Sequence, residues 1–103
     1  MKVLRQGDVL VFEVIAIPKA AQKETTKGDI ILAFGEVTGH SHRINTPAKK
    51  AVMWAAGAER FLQAMETVSL QHEEHATVTI PPGNYKIVIQ QEYRPGELRS
   101  VQD

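Results

Sequence analysis

The chain contains no cysteine. That excludes disulfides and thiolate metal sites, and leaves His, Asp, Glu, backbone and water as the ligands available to a metal. Aromatic residues make up only 6% of the sequence, too few to build a stacking platform along a single-stranded nucleic acid. Neither sign of charge is in excess, with 12 Lys and Arg against 12 Asp and Glu. No bulk field therefore draws in nucleic acid or an anionic membrane, while a small anionic ligand or nucleotide stays open as a partner. No apolar run approaches the ~20 residues that cross a bilayer. The first residues, Met1 to Asp8, lack the pattern of a signal peptide. The expectation is a cytoplasmic protein with no membrane partner.

A chain of 103 residues has room for one domain, residues 1–103. A core of that size is modest, and a homo-oligomer would extend it. Asp8 to Ile17 is rich in β-branched residues, closed by Pro18, and reads as a strand. Residues 19–28 are polar and read as a flexible loop, with room for a short helix at Lys19 to Gln22. Asp29 to Phe34 and Glu36 to Ile44 read as further strands.

Residues 46–66 fit two templates. Ala51, Ala55, Ala58, Phe61, Leu62 and Met65 make a helical stripe, with Thr46 and Pro47 at its start. Gly57 falls in its middle, at about 1 kcal/mol relative to Ala. The same residues make a hairpin of Ala51–Ala55 and Arg60–Ala64 turning at Gly57. The β-rich flanks favour the hairpin.

Thr67 to His72, Ala76 to Ile80 and Tyr85 to Tyr93 read as strands, the last opened by a turn at Pro81-Pro82-Gly83-Asn84. Phe34, Trp54 and Phe61 are expected in the core. Residues 96–103 are expected to be partly ordered. The fold class is mostly β: a small single-domain β-barrel or sandwich, with room for one short helix.

All four histidines fall in two short motifs, Gly39-His40-Ser41-His42-Arg43 and His72-Glu73-Glu74-His75. On a strand, His40 and His42 share a face because side chains alternate. Gly39 removes a side chain beside the pair, leaving room for a ligand. The second motif is a tight polar turn that can aim His72, His75 or Glu74 at a common point. Imidazoles with a carboxylate suit zinc, iron, nickel or copper. The expected cofactor is therefore a divalent metal on His40, His42 and His75, with His72 or Glu74 as the fourth ligand. Arg43 would hold an anionic part of the substrate, and the expected reaction is hydrolytic.

Two other readings use the same residues. In one, His40, His42 and His75 act as acid and base on a phosphodiester of RNA or a cyclic nucleotide, with Arg43 stabilising the charge and no metal. In the other, the protein is a non-catalytic binding or assembly module, with the His72–His75 turn simply solvated and His40 and His42 bonded to backbone. Gly7-Asp8 reads as a plain turn. The polar run Gln90, Gln91, Glu92 and Tyr93 is a strand leaving the core or the mouth of a pocket, with Glu92 as ligand or base.

Arg5-Gln-Gly-Asp-Val9, Gly35-Glu-Val-Thr-Gly-His-Ser-His-Arg43, Glu74-His75, Pro82-Gly83-Asn-Tyr85 and Gln91-Glu92-Tyr93 together resemble a family of small uncharacterised bacterial proteins. The His-x-His pair followed by Ile80-Pro-Pro-Gly83 also resembles part of the cupin signature. That resemblance implies a small β-barrel binding a metal through such histidines. The sequence departs from cupins in lacking the glutamate shortly after His-x-His, and its third histidine precedes the Pro-Gly turn.

Overall fold

The computed structural model describes residues 2–25, 28–34, 39–45 and 50–90. Within them the chain forms β1 (Val3–Gln6), β2 (Val9–Val14), β3 (Gln22–Lys23), β4 (Ile30–Phe34) and β5 (Ser41–Ile44). It continues with β6 (Ala51–Ala56), β7 (Glu59–Ala64), β8 (Val68–Gln71), β9 (Val78–Ile80) and β10 (Gly83–Ile89). The strands make a six-stranded antiparallel sheet, β1-β2-β10-β7-β6-β3, and a four-stranded one, β4-β5-β8-β9. The sheets do not close on themselves, so of the two expected architectures the arrangement is a sandwich and not a barrel.

Alternation along each strand builds the core. Val9 and Val11 of β2, Met53 of β6, Leu62 of β7, and Tyr85 and Ile87 of β10 point inward from the larger sheet. Ile30 and Leu32 of β4, Ile44 of β5, Val68 and Leu70 of β8 and Ile80 of β9 meet them from the smaller one. Burying such branched side chains contributes roughly 1.5–3 kcal/mol each. Tyr85 is buried too, and its hydroxyl donates to the Pro81 carbonyl at 2.6 Å.

Residues 51–64 form the hairpin, with Ala56 opposite Glu59 across the two-residue turn Gly57–Ala58. The helical stripe loses because the extended segment pairs with itself and with β10, and in part with β3, a tertiary effect on a marginal propensity. No helix forms at Lys19 to Gln22. A turn closes there, with Ala21 N–H donating to the Pro18 carbonyl at 3.0 Å, and β3 pairs Gln22 and Lys23 with Ala55 and Trp54. The first predicted strand ends early, and Ile15 is exposed.

The Pro-Pro-Gly-Asn turn is shorter than expected, since Gly83 and Asn84 already pair within β10. The two prolines instead mark the corner at which the chain passes from the smaller sheet to the larger. Edge strand β1, whose only sequence mark is Val3-Leu4, was not anticipated. The aromatics meet expectation only in part. Leu62 faces the central cluster, so its neighbour Phe61 lies on the opposite face of β7, cross-strand from the half-buried Trp54, yet Phe61 is itself buried. Phe34 is 81% exposed.

The expected polar end of the last strand at Gln91 to Tyr93, and the tail 96–103, lie outside the described residues. No helix among those residues is long and apolar enough to cross a membrane.

Candidate functional site: a histidine cluster between the sheets

The two histidine motifs meet because β5 and β8 are antiparallel neighbours. Ile44 pairs with Leu70 and Arg43 with Gln71. Continuing that register sets His42 opposite His72, Ser41 opposite Glu73 and His40 opposite Glu74. The side chains follow it. The His42 and His72 rings lie 4.2 Å apart between centroids. Ser41 N–H donates to Glu73 Oε1 at 3.1 Å, and His40 Nδ1 stands 3.5 Å from Glu74 Oε2. The six residues 72–77 between β8 and β9 then fold back, so that the His75 ring lies 4.7 Å from that of His72 and 5.8 Å from that of His42. His40 reaches the cluster edge-on at 6.0 Å from His72.

The other wall comes from the β1–β2 hairpin. Gln6 pairs with Val9 across the two-residue turn Gly7–Asp8. Gly7 has φ of 59°, the left-handed value expected of glycine at the first position of such a turn. It also lies under the imidazoles: a Cβ there would sit 2.7 Å from His75 Nε2 and 3.2 Å from His42 Cε1. The Gly39 reading fares differently. A Cβ there would meet nothing within 4 Å, so that glycine answers to its φ of 87° and not to crowding.

Gln6 projects from the larger sheet across to the smaller one. Its amide nitrogen donates to the Leu70 carbonyl at 2.8 Å and to the Ala76 carbonyl at 3.0 Å. Its Oε1 lies 2.9 Å from His42 Nδ1. The other ring nitrogen, His42 Nε2, lies 3.4 Å from Asp8 Oδ1. Among the described residues the buried polar side chains are Gln6, Ser41 and His42, and all three belong to this site. His40 Nδ1 is a buried ring nitrogen with no hydrogen-bond partner. Buried polar atoms are rarely left so.

Burial lowers the His42 pKa below its ordinary 6.5, and the neighbouring His72 and His75 add to that against the opposing pull of Asp8. The buried imidazole is thus held neutral at pH 7. For Glu73, partial burial works against ionisation. Hydrogen bonds from the backbone N–H of Ser41 and of Glu73 itself, with the Arg43 guanidinium, outweigh it and bring the pKa to about 2. His72 Nδ1 accepts from the Glu74 backbone N–H at 3.0 Å.

The expected site residues are therefore divided. His40, His42, His72 and His75 come together, with Glu74 at the margin beside His40. Arg43 does not join them. It alternates with His42 and lies on the outer face of the smaller sheet, 2.9 Å from Glu73 and 3.9 Å from Asp29, and donates to the Ser41 carbonyl at 3.0 Å. Its charge is spent on two carboxylates. As placed, no group of three His, Asp or Glu side chains among the described residues is positioned to hold a metal ion.

Residues 5–90 match the model of a family described as a domain of unknown function, DUF8820. The chain belongs to this family. The match spans Gln6, Asp8 and every histidine of the cluster. No curated protein and no solved structure matches the chain.

Gln6 and Asp8 are the site residues of this DUF8820 chain that sequence reasoning passed over as strand-flanking turn. A signal was there. A glutamine three residues before Val9, with Gly-Asp between, is a two-residue hairpin signature, and it puts Gln6 on the same inward face as Val9 and Leu4.

Proposed function

We propose that the histidine cluster binds a divalent metal, with His42 as the buried ligand and Asp8 and His75 as the exposed groups that close on it. The observation that carries the reading is the local excess of electron pairs. Neutral His42 Nε2 and Asp8 Oδ1 face each other at 3.4 Å, three more imidazoles surround them, and Arg43 is turned to the far face. An assembly of lone pairs and carboxylates without a free cationic side chain favours a cation over an anion. The cupin-like use of a His-x-His pair belongs to this same proposal. His40, whose Nδ1 lacks a partner, is an additional donor. His72 is the weaker one, because its Nδ1 already accepts a hydrogen bond and its neutral ring then carries the proton on Nε2.

The side chains do not form a closed coordination shell as placed, so binding must draw Asp8 and His75 inward. Asp8 is 59% exposed and His75 lies on an exposed turn, so both have room to turn. The metal-independent phosphodiester reading has less support. It needs Arg43 beside the histidines, and a phosphate there would meet Asp8 and Glu74 instead.

Elemental analysis of protein purified without chelator tests the proposal. The expected result is about one zinc, iron, nickel or copper per chain, the stoichiometry of a single His and carboxylate site. His42→Ala should abolish it, and Asp8→Ala, a surface change that spares the fold, should weaken it. Protein that stays metal-free after reconstitution would end the metal reading. Screens of hydrolytic substrates follow only from a positive result.

A further inference from the structure

The Gln6 amide can be oriented without ambiguity. Its nitrogen faces two backbone carbonyls, Leu70 at 2.8 Å and Ala76 at 3.0 Å. Rotating the amide by half a turn would set its oxygen against both, three acceptors together in a buried place, at a cost of roughly 1–3 kcal/mol for each group left unpaired. With both N–H groups used, Gln6 has only its oxygen to offer His42 Nδ1 at 2.9 Å. An oxygen acceptor at that distance requires the ring nitrogen to carry the proton.

We infer that Gln6 is a positioning residue that locks His42 in the tautomer protonated at Nδ1, presenting Nε2 beside Asp8 as a bare electron pair for a divalent cation. The first half stands on hydrogen bonds alone, and the second rests on the metal reading. Histidines that ligate metals commonly donate their other N–H to a fixed acceptor, which sets ring orientation and raises basicity. Here that acceptor is an amide, itself anchored to the opposite sheet. The Gln6 bridge thus ties the sheets together and dictates which nitrogen of His42 is free. Without Gln6 the proton has a better place. On Nε2 it would donate to Asp8 Oδ1, and the ring would lose its outward electron pair.

Nitrogen-15 long-range correlation spectra of the metal-free protein at neutral pH, or somewhat above it, test this directly. The expected spectrum shows His42 Nδ1 as the protonated, pyrrole-type nitrogen and Nε2 as the unprotonated, pyridine-type one. The reverse assignment in the wild-type protein overturns the inference. Gln6→Leu should move His42 to the Nε2–H tautomer. An unchanged tautomer in that variant would show that Gln6 does not set it. Gln6→Glu keeps an oxygen for the Nδ1–H and should retain the wild-type tautomer while losing stability, a separation that a purely structural role would not produce. Should Gln6→Leu fail to fold, the wild-type spectrum and Gln6→Glu decide. Adding zinc should then shift Nε2 of His42 in the wild-type protein. The stated tautomer with no zinc response supports the lock and removes only the metal reading.

Discussion

Among the described residues two polar side chains, Arg60 and Gln6, bridge the sheets of this sandwich, and they differ in how completely their networks are satisfied. Arg60 of β7 grips both oxygens of Glu24 at 3.0 Å and donates to the Leu32 and Ile31 carbonyls of β4, also at 3.0 Å. Four of its five N–H donors are used on these partners, and the Glu24 carboxylate balances its charge. Gln6 makes the corresponding link from β1 to β8, but the network behind it stops short. It ends at His42 Nε2 against Asp8, with His40 Nδ1 unpartnered close by. A closed polar network specifies a fold. An open one marks the place where something else is expected to complete it.

The comparison can be broken at either bridge. Arg60→Met strips Glu24 and two carbonyls of their partners in a half-buried setting and should cost about 2–3 kcal/mol. Chemical denaturation would measure it, and zinc uptake should be untouched. A loss below about 1 kcal/mol would mean that water replaces the guanidinium readily and that this bridge is not the structural one.

Gln6→Leu should cost somewhat less, about 1–3 kcal/mol for the groups left bare, and unlike Arg60→Met it should also impair zinc uptake. Equal effects of the two variants on metal would erase the distinction drawn between the bridges. Gly7→Ala comes next, at roughly 1 kcal/mol for a side chain in the left-handed region. The new methyl must also push aside His75, whose exposed ring can yield cheaply, and press on the buried His42 ring at 3.2 Å. The variant should therefore remain folded while the His75 resonances move, as heteronuclear NMR would show.

Acid should act on the histidine end and spare the Arg60 end. For His42 the folded pKa is depressed, so the unfolded chain takes up the proton first. Its contribution is complete above the ordinary 6.5 and declines as pH falls below it. Glu73 acts in the same direction further down, its contribution present above 4.5 and lost as pH falls toward about 2. Melting temperature should thus fall monotonically from neutral pH into acid. A flat profile between pH 7 and 5 would argue against a buried neutral His42. At the alkaline limit Tyr85, whose pKa is raised by burial and by Glu13, should oppose unfolding less as pH climbs past 10.0. The smallest effect belongs to the exposed pair of Lys86 with Glu59 at 2.7 Å, where Lys86→Ala should change stability by no more than ~0.5 kcal/mol.

Much of the fold was legible in the residues because period-two alternation is a local signal. Val9 and Val11, Ile30 and Leu32, and Tyr85 and Ile87 announce their strands and their inward faces. Residues 51–64 were legible only through their surroundings, since alanine-rich segments suit helix and strand alike until a neighbouring edge decides. Of the site, the motifs GHSHR and HEEH were visible as candidates. Their lateral register was not, because pairing between β5 and β8 is a long-range choice.

By itself the sequence determined the strand periodicity, the absence of thiolate chemistry, and the confinement of every imidazole to two short runs. Those are properties of composition and local steric preference. Only the tertiary structure decided that the two runs lie face to face, that Arg43 points away from them, and that Gln6 and Asp8 complete the wall. Each depends on which strands become neighbours, and that is settled by the burial of the whole apolar core and not by any segment alone.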